Sequence, residues 1–184
     1  MWTARGAPPP YYPDVITLAP GVPPAAVDAA ARPGAAVKDS YADVPLGAGY
    51  RKLFGAAWIA HPPVAGDRGP WSVVESAEEL LRWRERHGAA DALVPGLLRD
   101  PDVAVLARHD DDRVTAGAIA HRGADVTGLS NVFGLDPWDG LAAAAAASFG
   151  ARPLVGYERG IELPAAVAAG FSVTGPLRVW LRAV

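Results

Sequence analysis

The order of apolar segments predicts an α/β fold of the α+β kind: a mixed, mostly antiparallel central sheet flanked by helices, with a small N-terminal lobe. Three observations predict it. The stretches "VAVLAR", "RVTAGAIAHR" and "DVTGLSNVF" are apolar and partly β-branched, and "HDDD" and "GA" join them closely enough for antiparallel hairpins. Helical patterns stand on both sides of this meander, "SAEELLRWRERHG" before it and "LAAAAAASFG" after it. The run "HPPVAGDRGP" is rich enough in proline and glycine to be a surface connection, which puts a boundary at Pro70 between an N-terminal lobe, residues 1–70, and a core, residues 71–184. A chain of 184 residues suits one domain with a full core and is short for two.

In order, Met1–Pro13 alternates proline and aromatic residues without period and reads as an extended segment against the lobe. "VITLAP" reads as a short strand and "PPAAVDAAAR" as a helix with proline in its first turn. "AAVKDSYADV" and "YRKLFGAAWIAH" supply two extended pieces around the turn "PLGAG". "WSVV" starts extended and becomes a helix capped by Ser76, with Glu79 at capping-box spacing and Gly88 to close it; Leu80, Leu81 and Trp83 are its inward residues. "ALVPGLL" suggests a short helix. After the meander come the alanine-rich helix, the strand "PLVGYE", the short helix "IELPAAVAAG", and "FSVTGPLRVWLRA", one or two strands around the turn at Gly175 and Pro176.

Composition narrows the function. A net charge of -3 gives no electrostatic footprint for a phosphate backbone, so no nucleic-acid partner is expected. There is no cysteine, which excludes disulfides, thiolate metal sites and thiol catalysis. No secretory h-region and no run of about 18 apolar residues stands in the chain, so a cytoplasmic protein without a membrane partner is expected. The abundance of arginine over lysine, with much alanine, glycine and proline, fits a GC-rich bacterial source. His109 with Asp110, Asp111 and Asp112 reads as turn chemistry, because a tight turn cannot aim four consecutive side chains at one ion; no metal is expected. Lys38 and Asp39 fall on opposite faces of a strand, and Ser40 has no nucleophile elbow. The tryptophans read as core residues, with Trp138 the one to watch at a pocket mouth.

The order of helices, three meandering strands, helix, strand, short helix and closing strands resembles the GNAT family of acyl-CoA-dependent N-acyltransferases. "AAVAAGFSVTGPLRVWL" is similar to the family's ending, with Gly170 and Phe171 as its Gly-Phe pair, and "VTAGAIAHR" is similar to its third core strand. The resemblance covers Trp71 to Val184 and implies acyl-CoA as donor. It also implies a phosphate loop of the type Arg/Gln-x-x-Gly-x-Gly/Ala where this chain has "GLDPWDGLAA", with Val132, Phe133 and Gly134 along the cofactor's pantetheine arm. The loop departs from that pattern. Asp136 before Pro137 reads as an N-cap and first-turn pair, and Asp139 adds negative charge to the first turn, so the helix start is expected to be self-capped and to oppose a dianion. The family's tyrosine, five residues ahead of the phenylalanine, is Ala166 here.

The family splays its fourth and fifth core strands, and the resemblance places a small-molecule pocket between "GLSNVF" and "LVGYERG". Glu158 is the candidate base if burial raises its pKa, with Tyr157 as acid and Arg159 orienting an anionic substrate. Ser130 and Asn131 supply polar contacts, Trp138 covers the mouth, and His121 is a further candidate at a strand end. The function implied is a divergent GNAT-like enzyme acting on an acyl- or amine-bearing small molecule, compatible with a homodimer. The alternative is a non-catalytic protein that binds a ligand or protein partner in the same cleft.

Overall fold

The computed structural model describes residues 1–9, 12–88 and 93–184. Two compact units divide the chain: residues 1–58 with 174–184, and residues 59–173. The sequence boundary at Pro70 differs from this division because the two long strands cross it. One is β4 (Tyr50–His61) and the other β10 (Ser172–Arg182).

The first unit is a sheet in the order β1 (Trp2–Thr3), β2 (Val15–Ile16), β3 (Ala36–Asp39), β10, β4, with α1 (Pro24–Ala30) between β2 and β3. β3 lies parallel to β2 and antiparallel to β10, where Arg178 pairs with Asp39 and Trp180 with Val37. Its core is Val15, Val27, Val37 and Val44, all fully buried. "FSVTGPLRVWLRA" is a single strand, running through Gly175 and Pro176 without a turn. Asp39 is fully buried and Lys38 lies over the Trp58 ring, so alternation separates the two as expected.

The second unit carries the meander. Its sheet runs β9 (Leu154–Glu158), β8 (Thr127–Gly134), β7 (Arg113–Arg122), β6 (Val103–Asp110), β5 (Trp71–Val73), antiparallel throughout except for β8 with β9. The polar run after His109 is the β6–β7 turn, with Asp111 at φ 51°. Alternation along β7 builds two cores. Ala116, Ala118 and Ala120 face α3 (Leu141–Phe149) and α4 (Glu162–Ala168), while Ile119 faces α2 (Ala77–His87); Val114 joins the α2 side because the β6–β7 register shifts between Arg108 and His109, which pair with Ala116 and Val114.

Helix α2 begins and ends as its residues predict: Ser76 accepts from the Glu79 amide at 3.1 Å, and Gly88 closes it at φ 84°. Leu80 and Trp83 are buried, whereas Leu81 is 49% exposed, because a 3.6-residue period turns position 81 away from its neighbours. The short helix expected in "ALVPGLL" is a 3-10 turn, Pro95–Arg99; Ala92 lies outside the described residues. Among the described residues no helix is long and apolar enough to cross a membrane.

The start of α3 corrects the expected self-capping. Its N-cap is Gly140 at φ 68°, no side chain caps it, and no acidic residue stands in its first turn. Asp136 and Pro137 instead open a turn closed by the Asp139 amide on the Asp136 carbonyl at 3.1 Å. Aspartate followed by proline suits the first two positions of such a turn as well as it suits a helix start, and here the turn wins.

Candidate functional site

Strands β8 and β9 pair only at Thr127 with Leu154 and Gly128 with Val155. Among the described residues no ladder pair follows, although Gly156 still lies against Leu129, whose carbonyl oxygen a Cβ there would meet at 3.0 Å. The other edge of β8 shows why: Gly117 of β7 pairs with Phe133, but Ile119 pairs with Ser130, so β8 carries one extra residue. Asn131 absorbs it at φ 53°, a left-handed conformation that asparagine tolerates better than most residues. The bulge bends β8, and among the described residues its ladder with β9 ends at Gly128 and Val155. It also re-aims the strand, so that Val132 packs toward α3 and α4 while Phe133 packs against Trp83 and His87 under α2.

At the end of β8 the chain turns sharply at Gly134, φ 106°. A Cβ there would collide with the Thr115 carbonyl oxygen and come within 2.5 Å of the Ala116 Cα, so only glycine fits. The Leu135 amide bonds the same Thr115 oxygen at 3.0 Å. The loop then lies across from α4 over a cleft of about 610 Å³, lined on one side by Gly134 to Asp139 and on the other by Glu162, Ala165, Ala168 and Ala169. Three carboxylates border it, those of Asp136, Asp139 and Glu162, and no basic residue does. Trp138 lines the cleft yet is 5% exposed, because its ring packs edge-on to Phe171 at 5.1 Å. Phe171 in turn meets His61 at 5.0 Å. Trp138 is thus a core residue with one surface on the cleft.

Glu158 ends β9. Leu154 and Gly156 are buried on the α3 and α4 face, and the two-residue period puts Glu158 on that same face. Burial pushes its carboxyl from 4.5 up to about 7; the Arg159 amide and guanidinium pull it down, and the charge of Glu162, on the cleft wall, pushes it up. The expected base is therefore a group that titrates near neutrality. Its expected acid is not beside it: alternation turns Tyr157 to the opposite face of the sheet, the α2 side.

The remaining candidates divide. Ser130, exposed, accepts a hydrogen bond from Asn131 Nδ2 at 3.1 Å, so the two satisfy each other. Arg159 is exposed at the strand end, next to Glu158. His121 pairs with Gly128 and Val103, at the closed end of the β8–β9 junction, roughly 20 Å along the strand from Gly134. It is not part of the cleft. Ala166, in the position of the family's tyrosine, is fully buried in the core beneath α4. Residue-by-residue reading missed Glu162, which opens a short helix and carries no local signal of the cleft.

No protein-family model matches the sequence, and no curated protein matches it. Solved structures do. A putative acetyltransferase of the GNAT family from Novosphingobium aromaticivorans superposes with a TM-score of 0.66 at 11% identity, over 95% of this chain and 86% of its own. The chain has the GNAT fold. A GCN5-related N-acetyltransferase from Kribbella flavida agrees, with TM-score 0.57 and 18% identity over 91% of this chain and 80% of its own. A third match is N-myristoyltransferase of Saccharomyces cerevisiae, solved with bound myristoyl-CoA: TM-score 0.54 and 8% identity, over 82% of this chain and 52% of that one. Gly170 and Phe171 stand between α4 and β10, in the chain order that the sequence resemblance expects.

Proposed function

We propose that the protein is a GNAT-type acyltransferase acting on an amine-bearing small molecule, with an acyl-CoA as donor. One observation carries this: the cleft between the β8–α3 loop and α4 stays open, beside a helix start that no side chain caps and a carboxyl that titrates near neutrality. The first turn of α3, which no side chain caps, suits a diphosphate. The backbone of Val132, Phe133 and Gly134, past the end of the β8–β9 ladder, suits the amide-bearing arm of the donor.

The chemistry is attack of the acceptor nitrogen on the thioester carbonyl. The N–C bond forms, the C–S bond breaks, and Glu158 takes the proton lost by nitrogen. With Ala166 in the place of the family's acid, the departing thiolate takes its proton from water. Calorimetry with acetyl-CoA and longer acyl-CoAs tests the donor, and release of free thiol on adding amines tests turnover. Micromolar binding with thiol release supports the proposal; no binding at millimolar acyl-CoA removes it. The acidic lining of the cleft favours a second reading, a binding protein without turnover. Binding with no thiol release under any amine tested would select it.

A further inference from the structure

On the α2 face of the second unit's sheet, three side chains from three elements stand in a row. Ser72 lies in β5, His109 near the end of β6 and Glu79 in the first turn of α2. Alternation brings the first two together. Ser72 is two residues before Val74 and pairs with Ala107, His109 is two residues after Ala107 and pairs with Val114, and Val74, Ala107 and Val114 all belong to the core under α2. Ser72 Oγ lies 3.4 Å from His109 Nδ1, and His109 Nε2 lies 3.6 Å from Glu79 Oε1. The carboxylate is itself held. Its other oxygen, Oε2, accepts from the Glu75 amide at 3.3 Å, while the Glu79 amide donates to the cap residue Ser76. A proton on Nε2, facing the carboxylate, leaves the lone pair of Nδ1 toward the serine hydroxyl. That hydroxyl also reaches the Ala107 carbonyl at 3.3 Å, so its proton has two acceptors at near-equal range and neither contact is short enough to lock it.

We propose that Ser72, His109 and Glu79 form a separate acyl-transfer site, with Ser72 Oγ as nucleophile, His109 as base, Glu79 as the positioning residue of the imidazole, and aryl esters as substrates. It shares no residue with the cleft beside α4 and does not depend on the acyl-CoA reading. Ser72 Oγ attacks the ester carbonyl while its proton passes to His109 Nδ1; the O–C bond to serine forms, the bond to the phenol oxygen breaks, and the phenol takes the proton from the imidazole. Water then attacks the acyl-serine with the same imidazole as base, releasing the carboxylic acid and restoring the serine. Contacts of 3.4 and 3.6 Å are longer than those of a reacting complex, and such contacts tighten when substrate draws the nucleophile forward. The substrate class follows from position. β5 ends the sheet, so an ester arrives from solvent and its chains are little selected; esters whose alcohol departs readily are those that a nucleophile and a base suffice to cleave.

The test treats the full chain with p-nitrophenyl acetate and, separately, with a fluorophosphonate that labels activated serines. Wild type should release p-nitrophenol and carry the phosphonyl group on Ser72, mapped by peptide mass spectrometry, faster than the same chain unfolded in urea. Ser72→Ala should lose the label and the turnover. His109→Gln should slow both by about a hundredfold or more. Glu79→Gln should slow both by about tenfold or more, and Glu79→Asp, which keeps the carboxylate, should recover part of the rate. Turnover that persists in Ser72→Ala, a label on another serine, or a folded His109→Gln that labels within about twofold of wild type overturns the inference and leaves the acyl-CoA reading standing. Should a variant fail to fold, the comparison of folded with unfolded wild type decides alone, and equal labelling of the two overturns the inference.

Discussion

Glu158 shows how one buried carboxyl links reactivity to stability. With its pKa raised from 4.5 to about 7, it keeps its proton in the folded chain at pH values where the unfolded chain has lost it. The folded state then binds more protons between these limits, so this group's stabilising contribution is complete below about 4.5 and is lost as pH rises through about 7. Discounted for partial solvent screening, the loss is on the order of 1–2 kcal/mol, and Glu158→Gln should flatten the fall in melting temperature between about pH 4 and about pH 8, an interval that brackets the two values. Activity has the opposite slope, because a base must be ionised to accept a proton. The rate of thiol release should climb through pH 7, near the raised value, and Glu158→Gln should abolish that limb, with a loss of roughly 10²–10⁴ in kcat. Glu162→Gln, which removes the like charge beside it, should move the limb to lower pH. Glu158 was legible in the sequence because a lone carboxylate closes an apolar strand. The sequence reading gave it Tyr157 as acid, against the two-residue period that buries Leu154 and Gly156 and turns Tyr157 to the other face.

Among the elements, the β8–α3 junction depends on a single residue without a side chain. Gly134→Ala puts a methyl into the Thr115 carbonyl and the Ala116 backbone at a φ that side chains rarely adopt, and neither neighbour can yield, since both belong to a central strand. The substitution should cost about 3 kcal/mol or more in urea unfolding, and weaken acyl-CoA binding in whatever fraction folds. Ser76→Ala, which removes only the α2 cap, should cost about 1 kcal/mol and leave binding unchanged. The contrast also marks what local sequence can report. A cap is written in four adjacent residues, and α2 was read correctly at both ends. The bulge at Asn131 was not read, because an extra residue exists only relative to the partner strand, and "LSNVF" alternates no worse than its neighbours. The start of α3 was misread for a related reason: Asp-Pro serves a turn and a helix start alike, and the choice rests on Arg108 and Trp71, far away in the chain, which donate to the Asp136 and Asp139 carbonyls.

For the molecule as a whole, the first unit is closed by residues from both ends of the sequence. β3 pairs with β10, and the pairing holds an ion pair: Asp39, fully buried, accepts from Arg178 Nη2 at 3.0 Å and Nε at 3.2 Å, and from the amides of Asp43 and Val44 at 3.3 Å. No periodicity could announce a bond between residues so far apart, so the sequence reading kept the lobe and the closing strands in separate parts. The buried carboxylate makes the arrangement testable. Arg178→Leu leaves Asp39 charged, buried and without its cation, and should cost about 3–5 kcal/mol in urea unfolding. Adding Asp39→Asn removes the stranded charge and keeps one oxygen for one of the Asp43 and Val44 amides, so the double variant should regain part of that loss. A double variant no more stable than Arg178→Leu alone would mean that the pair holds the two chain ends together by shape, and its charge contributes nothing.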